Sequence, residues 1–426
     1  MRRDGDNWYF VWPKHHIGFG LDHLKESSDG IHAELTVESA APGVDGRLAG
    51  PVRLNLLSAR TQAEIATKLE KRINGAVGKV DWDTLVTYAC AVVAKQYREP
   101  TPIVDLAEVE TSGAVDYLIP GLIPVDETTV LYGDGESAKS LIALRIGCSV
   151  VSGHQLPWDD QPTRRCGVLY LDWETNPRTV AGRLRRIALG MYSAVPQIFY
   201  RQCFRSLHDE LPHIREEISK RHIGLVIVDS IGFAASGALV EDDTARSAMN
   251  ALRQMSPATR LVVAHISAEA ARSTAGAARP FGSAFFWNGM RSGLELRRAE
   301  EGADPDDIDL GLYHRKANDG EHHKPIGVNV LFDGRAGPIG FIKSDIRDIP
   351  DLAARTTLSS RLRELLRGGE MDTNELAEET EESADTIRKT LRRMQDVVPV
   401  SDNVVPVSGR GGRGKVQRWG LAAEAF

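Results

Sequence analysis

Hydrophobic positions follow several rhythms along the chain. Residues 1 to 57 alternate apolar and polar in short bursts (NWYFVW, IHAELTV, VRLNLL) separated by glycine, proline and aspartate. A period of two between turn residues predicts a few antiparallel strands. From 60 to 98 the spacing turns helical, with Ile65, Leu69 and Ile73, then Trp82, Leu85, Val86 and Ala89. Residues 1–98 are therefore expected to form a small α+β domain. The proline-bearing, acidic stretch at 99–116 reads as a linker.

Between 117 and 345 the rhythm is strand, helix, strand. TTVLY, GVLYLDW, QIFYR, IGLVIVDS and RLVVAH are near-continuous apolar runs, and amphipathic stretches such as RTVAGRLRRIAL and DDTARSAMNALRQM separate them. Such runs point to a parallel sheet covered on both faces, an α/β core. GLELRR, DIDLGLYHRK, IGVNVLFD and PIGFI then suggest an antiparallel extension. In the tail, 356–426, LSSRLRELLRGG, MDTNELAEETEES and SADTIRKTLRRMQ predict three helices, with Thr373 and Ser383 as N-caps. VVPVS and KVQRWGL flank GRGGRG, which completes the pattern of a winged helix-turn-helix.

Composition narrows the function classes. With 42% hydrophobic and 26% charged residues the chain suits a soluble globular protein. The net charge of −7 argues against coating nucleic acid with the whole surface, so any contact must be local. Four scattered cysteines show neither a disulfide framework nor zinc spacing, which fits a reducing cytoplasm. His15-His16 and His322-His323 lack matching ligands at metal spacing. No apolar run is long enough to span a bilayer.

The chemistry concentrates at Gly133, Asp134, Gly135, Glu136, Ser137, Ala138, Lys139 and Ser140, a strand-to-helix turn that is nearly G-x-x-x-x-G-K-[ST]. Such a loop cradles phosphate with backbone N–H groups and the positive end of the following helix. Lys139 would reach the β/γ oxygens and Ser140 would ligate magnesium. Ala138 replaces the last glycine. Alanine adds only a methyl and favours helices, so it can stand at a helix start unless the backbone needs a positive φ.

Strand ends supply the rest. Asp229 closes IGLVIVDS and can hold Mg²⁺ through water or through Ser140. Asp172 and Glu174 close GVLYLDWET, where Glu174 can orient or deprotonate water. A solvated strand-end carboxylate is the plain alternative for either. His265 closes RLVVAH and would sense a γ-phosphate or be an ordinary strand-end histidine.

The order of these elements over roughly 117 to 320 resembles the RecA-like helicase ATPases, especially the RepA-type branch of plasmid and phage replicative helicases, often catalogued as AAA family ATPases. The resemblance implies a RecA-like P-loop NTPase core using ATP and Mg²⁺, Glu174 as catalytic glutamate, Asp229 as the Walker B aspartate and His265 at the next strand end. PFGSAFFWNGMRSGLEL is similar to the family's Gly-Ser…Arg segment, here with seven residues between Ser283 and Arg291, which implies that Arg291 is an arginine finger. YHRKANDG places Lys316 where related hexameric helicases present a basic residue near the phosphates.

For nucleic acid, the resemblance implies a central channel lined by SIGFAASGALVEDD and ISAEAARSTAGAARPFGS, with Arg272 and Arg279 facing phosphates and Phe233 able to stack on a base. In the tail, Arg388, Lys389, Arg392 and Arg393 would lie on a recognition helix, and Arg410, Arg413 and Lys415 on a wing. The expectation is an ATP-hydrolysing DNA helicase or helicase-like replication protein of a phage, plasmid or mobile element. It would be a homo-oligomer, as a hexameric ring, on single-stranded DNA, with duplex DNA at the winged helix. An ATP-dependent initiator without unwinding, or a recombinase-like filament, are the alternatives.

Overall fold

The computed structural model describes the chain except residues 5–6, 42–45, 74–78, 100–102, 110–112, 159–162, 268–269, 271–277, 300–306, 354–357, 381, 395–396, 407–412 and 422–426. It divides into two compact units. The first takes residues 1–115 with 205–224 and 254–257, and the second takes the remainder.

In the first unit, β1 (Arg2–Asp4), β2 (Asn7–Trp12), β3 (Ile17–Ser27), β4 (Gly30–Ser39) and β5 (Arg47–Asn55) form an antiparallel meander in sequence order. Burial alternates along β3 and β4 as the period-two pattern requires. The buried face carries Trp8, Phe10, Phe19 and Leu35. Helices α1 (Ala59–Ile73) and α2 (Trp82–Arg98) share that core through Ile65, Leu69, Val86 and Ala89.

The second unit holds β6 (Tyr117–Ile119), β7 (Ile123–Pro124), β8 (Thr128–Gly133), α3 (Lys139–Ser152), β9 (Gly167–Asp172), α4 (Pro177–Gly190) and β10 (Ile198–Gln202). Helix α5 (Leu207–Arg221) belongs to the first unit. Then follow β11 (Ile223–Asp229), α6 (Ile231–Ala234), α7 (Asp242–Arg253), β12 (Thr259–His265), α8 (Ala284–Gly289), β13 (Ser292–Arg298), β14 (Asp307–Ala317), β15 (Ile326–Phe332) and β16 (Ile339–Ser344). Nine of these strands make one sheet in the order β10-β9-β11-β12-β8-β13-β14-β15-β16. Its first half is parallel; β9, β11, β12 and β8 are buried almost throughout, every residue of β8 included, while the edge strand β10 is half-buried.

GLELRR opens the antiparallel extension as β13: it pairs antiparallel with β14 and, on its other side, parallel with β8. The parallel side follows from its connection: the chain crosses back through α8 before β13 starts, so β13 enters in the same direction as β8. Its nearly unbroken burial reflects two hydrogen-bonded neighbours and two covered faces.

The tail forms α9 (Pro350–Ala353), α10 (Leu358–Arg367), β17 (Met371–Asp372), α11 (Thr373–Thr380), α12 (Ala384–Leu391), β18 (Val397–Pro406) and β19 (Arg413–Leu421). The strands order β17-β19-β18, and Leu362, Leu366, Leu376, Ile387, Leu391 and Trp419 form their shared core with the helices. Ser383 caps α12 by accepting from the Thr386 N–H. Helix α11 is capped by Asp372 rather than Thr373. Asp372 Oδ1 accepts from the Asn374 and Glu375 N–H groups, and Glu375 Oε2 accepts from the Asp372 N–H. That reciprocal capping box satisfies the first-turn donors one residue earlier than the threonine would. Among the described residues no helix is long and apolar enough to cross a membrane.

Candidate functional site

The carboxyl ends of β8, β9, β11 and β12 open on one cleft of about 260 Å³, whose lining includes Gly135, Lys139, Ser140, Glu174, Asp229 and His265. Gly133 ends β8 where a side chain has no room, since a Cβ there would lie 2.1 Å from the Leu296 carbonyl oxygen. A Cβ on Gly135 would meet nothing within 4 Å. The Asp134 carboxylate accepts from the Gly135 N–H at 2.7 Å, and Ser137 Oγ donates to the Asp134 carbonyl at 2.8 Å, which fixes the loop. Ala138 has φ 58° and ψ 23°, a left-handed conformation. Here the backbone does need a positive φ, so the alanine is strained and is not an ordinary helix-start residue.

Lys139 is buried, and its Nζ donates to the Gly133 carbonyl at 3.1 Å, to Ser137 Oγ at 3.3 Å and to the Asp134 carbonyl. Burial pushes its pKa down to about 8, against the charges of Asp229, Asp134 and Glu174. Across the cleft Asp229 is also buried, which raises its pKa, while hydroxyls of Tyr170 and Ser140 favour its charged form. Tyr170 donates to Asp229 Oδ2, whereas the buried Oδ1 has no hydrogen-bond partner among the described residues. An orphaned carboxylate oxygen beside a serine hydroxyl suits a hard divalent cation, so these residues fit Mg²⁺.

Asp172 and Glu174 divide their roles. Asp172 is buried and saturated: it accepts from the Glu174 and Thr175 N–H groups at 2.8 and 2.9 Å, from Thr175 Oγ1 at 2.7 Å and from the Tyr200 hydroxyl at 2.9 Å. It builds the turn that presents Glu174. Glu174 Oε1 lies 3.4 Å from His265 Nε2. That contact holds its carboxyl below the usual carboxylate range although partial burial works the other way.

Arg291 is not in this cleft. It precedes β13 at the level of Thr128, while Leu296 is level with Gly133. Five strand residues at about 3.3 Å each put it about 16 Å along the sheet from the phosphate loop. Its Nε lies 3.8 Å from Glu127 Oε1, both side chains being partly exposed. Lys316 lies near the same edge of the sheet, donating to the Trp287 and Asn288 carbonyls at 2.7 and 3.3 Å. Burial and the charges of Arg291 and Arg279 lower its pKa. The Arg279 guanidinium and the Lys316 ammonium both lie over the Trp287 ring, at 5.2 and 5.6 Å.

Of the expected DNA contacts, Arg272 and Arg410 lie outside the described residues. Arg388 and Lys389 are on α12 and Arg392 at its C-terminus, where Lys389 pairs with Asp385 at 2.7 Å. Arg413 and Lys415 lie on β19. Phe233 is exposed.

Three features carry no sequence signal of their own. Arg183 lines the cleft from α4, where it is one of several arginines. Tyr170 is a strand aromatic until its hydroxyl is seen on Asp229. Glu295, fully buried in β13, accepts from Arg297 Nε and Arg315 Nε, each at 2.6 Å. It also accepts from the Ala278 N–H at 3.3 Å, Tyr132 donates to the Ala278 carbonyl at 3.1 Å, and Arg297 donates to the Ala270 carbonyl at 3.2 Å. These bonds fasten both described ends of the β12–α8 connection to β8 and β13.

Residues 95–271 match the model of the AAA domain family. Among curated proteins none matches the sequence. Solved structures with similarity include a KaiC-like protein from Pyrococcus horikoshii OT3, at 12% identity, TM-score 0.38, over 54% of this chain and 100% of that one. Another is the flagellar accessory protein FlaH from Methanocaldococcus jannaschii, at 13% identity, TM-score 0.36, over 54% and 93%. The mostly parallel sheet with a phosphate loop after β8 forms an α/β core consistent with a P-loop NTPase, and the AAA domain match falls on this stretch.

Proposed function

We propose that the chain is an ATP hydrolase that works as a homo-oligomer on DNA, as a helicase or helicase-like replication protein. The observation that carries this is the split between the two ends of the sheet. Lys139, Ser140, Asp229 and Glu174 share one cleft, while Arg291 and Lys316 stand at the opposite edge, where a second copy's nucleotide can meet them. A cyclic assembly repeats this head-to-tail contact and completes each site.

Within the cleft, Lys139 exchanges loop carbonyls for the β/γ-phosphate oxygens, and Ser140 and Asp229 would hold Mg²⁺, which when bound would neutralise phosphate charge. Glu174, kept ionised by His265, orients the attacking water and accepts its proton. The partner copy's arginine stabilises charge on the transferred phosphoryl group. Arg279 and Phe233 on the connections after β12 and β11 would face a single strand, and the basic residues of α12 a duplex.

Turnover measured with and without single-stranded DNA, beside strand separation and native mass, tests this reading. DNA-stimulated hydrolysis with unwinding by an oligomer is expected. Nucleotide-dependent duplex binding without unwinding would make the protein an initiator instead, and open filaments a recombinase-like ATPase.

A further inference from the structure

His23 and His213 are 190 residues apart in sequence, yet their Nε2 atoms lie 3.3 Å apart. His23 sits in β3 at the irregularity between Asp22 and Lys25, with φ 52°. A bulge re-aims a side chain, and a left-handed backbone at a residue with a Cβ costs about 1–2 kcal/mol. The surroundings therefore hold this ring in its direction. His213 comes from α5, within the same compact unit.

The other nitrogen of His23 is engaged. Its Nδ1 lies 2.9 Å from Asp22 Oδ1 and 3.9 Å from Glu34 Oε2. A carboxylate there draws the ring proton to Nδ1 and leaves Nε2 a lone pair, the arrangement that orients metal-binding imidazoles.

The two rings do not meet head-on. Their centroids are 5.0 Å apart and their planes 72° from parallel. With each nitrogen about 1.1–1.2 Å in front of its centroid, a head-on hydrogen bond would separate the centroids by about 5.6 Å. For a symmetric pair at the observed spacings, the axes converge about 2.2 Å beyond each nitrogen, near the Zn–N length of about 2.0–2.1 Å.

We propose that His23 and His213 hold one divalent transition-metal ion of the zinc class, with Asp22 as the carboxylate behind His23 and water completing the shell. Paired imidazoles favour Zn²⁺, Cu²⁺ and Ni²⁺ over the hard cations that the nucleotide cleft suits. Such an ion would tie β3 to α5.

The test is calorimetric titration of the full chain with Zn²⁺, supported by the visible absorption of bound Co²⁺. One tight equivalent is expected, at least tenfold weaker in both His23→Gln and His213→Ala and about tenfold weaker in Asp22→Asn. His322→Ala, as a control at the other histidine pair, should leave it unchanged. Zn²⁺ should raise the melting temperature of the wild type and leave that of His23→Gln unmoved. Unaltered affinity in the two histidine variants, loss of the equivalent in His322→Ala, or no stoichiometric binding at all would overturn the proposal.

Discussion

The methyl group of Ala138 stands on a backbone at φ 58° and ψ 23°. Left-handed geometry costs a residue with a Cβ about 1–2 kcal/mol, and glycine escapes it while adding to the entropy the chain loses on folding. Ala138→Gly is therefore expected to stabilise the chain by about 0.5–1 kcal/mol, read by denaturant unfolding, while turnover is retained. A loss of stability would mean that the left-handed turn is misplaced. Lys139 gives a pH prediction at the same scale. With its free pKa lowered to about 8, the side chain is cationic below that value and loses its proton above it. Nucleotide affinity should fall as pH rises through about 8, with proton uptake on binding visible in buffers of different ionisation enthalpy; flat affinity and no uptake would refute it. Glu174 is also shifted down, which for a carboxyl favours the charged form, held there by His265. A base must be ionised to act, so hydrolysis should persist in mild acid and fail only below the ordinary carboxylate pKa of about 4.3. Glu174→Gln should lose at least about 100-fold in turnover and still bind nucleotide.

At the scale of elements, β13 is the strand that joins the site to its surroundings. Its Leu296 carbonyl forbids a side chain at Gly133, and its Glu295 fastens the connection between β12 and α8. Breaking a buried ion pair from one side costs about 3–5 kcal/mol because the partner charges stay behind. Glu295→Gln should therefore lower stability by about that amount, read by thermal or denaturant unfolding. A neutral effect would show that Arg297 and Arg315 find other partners. The strands of the core were legible because continuous apolar runs leave few alternatives, and so was the cleft, because Glu174, Asp229 and His265 sit at or just past the ends of such runs and Lys139 opens the helix that follows one. The direction of β13 was not legible, since a buried strand reads the same whichever way its neighbour runs. Asp372 was missed as a cap because its partner, Glu375, identifies it only once the turn is formed. Glu295 resembles an ordinary exposed position of GLELRR until two arginines from different strand positions are seen around it.

For the whole molecule, the decisive distance is the length of β8. It separates the phosphate loop at one end from Arg291 at the other, so one chain does not bring both to the same nucleotide. Sequence order alone reveals neither end of the sheet, because an arginine beside a strand start reads as a surface ion pair; the register between β8 and β13 supplies the missing geometry. Subunit complementation tests this central claim most directly. Glu174→Gln and Arg291→Ala chains are each expected to be nearly inactive alone. In a mixed oligomer, an Arg291→Ala chain keeps an intact cleft and receives the arginine of a Glu174→Gln neighbour. Random equal mixing should then restore turnover to about a quarter of the wild-type rate, the share of contacts that pair an intact cleft with an intact arginine. Turnover that stays at the level of the separate variants, or an Arg291→Ala protein fully active by itself, would contradict a site completed by a second copy.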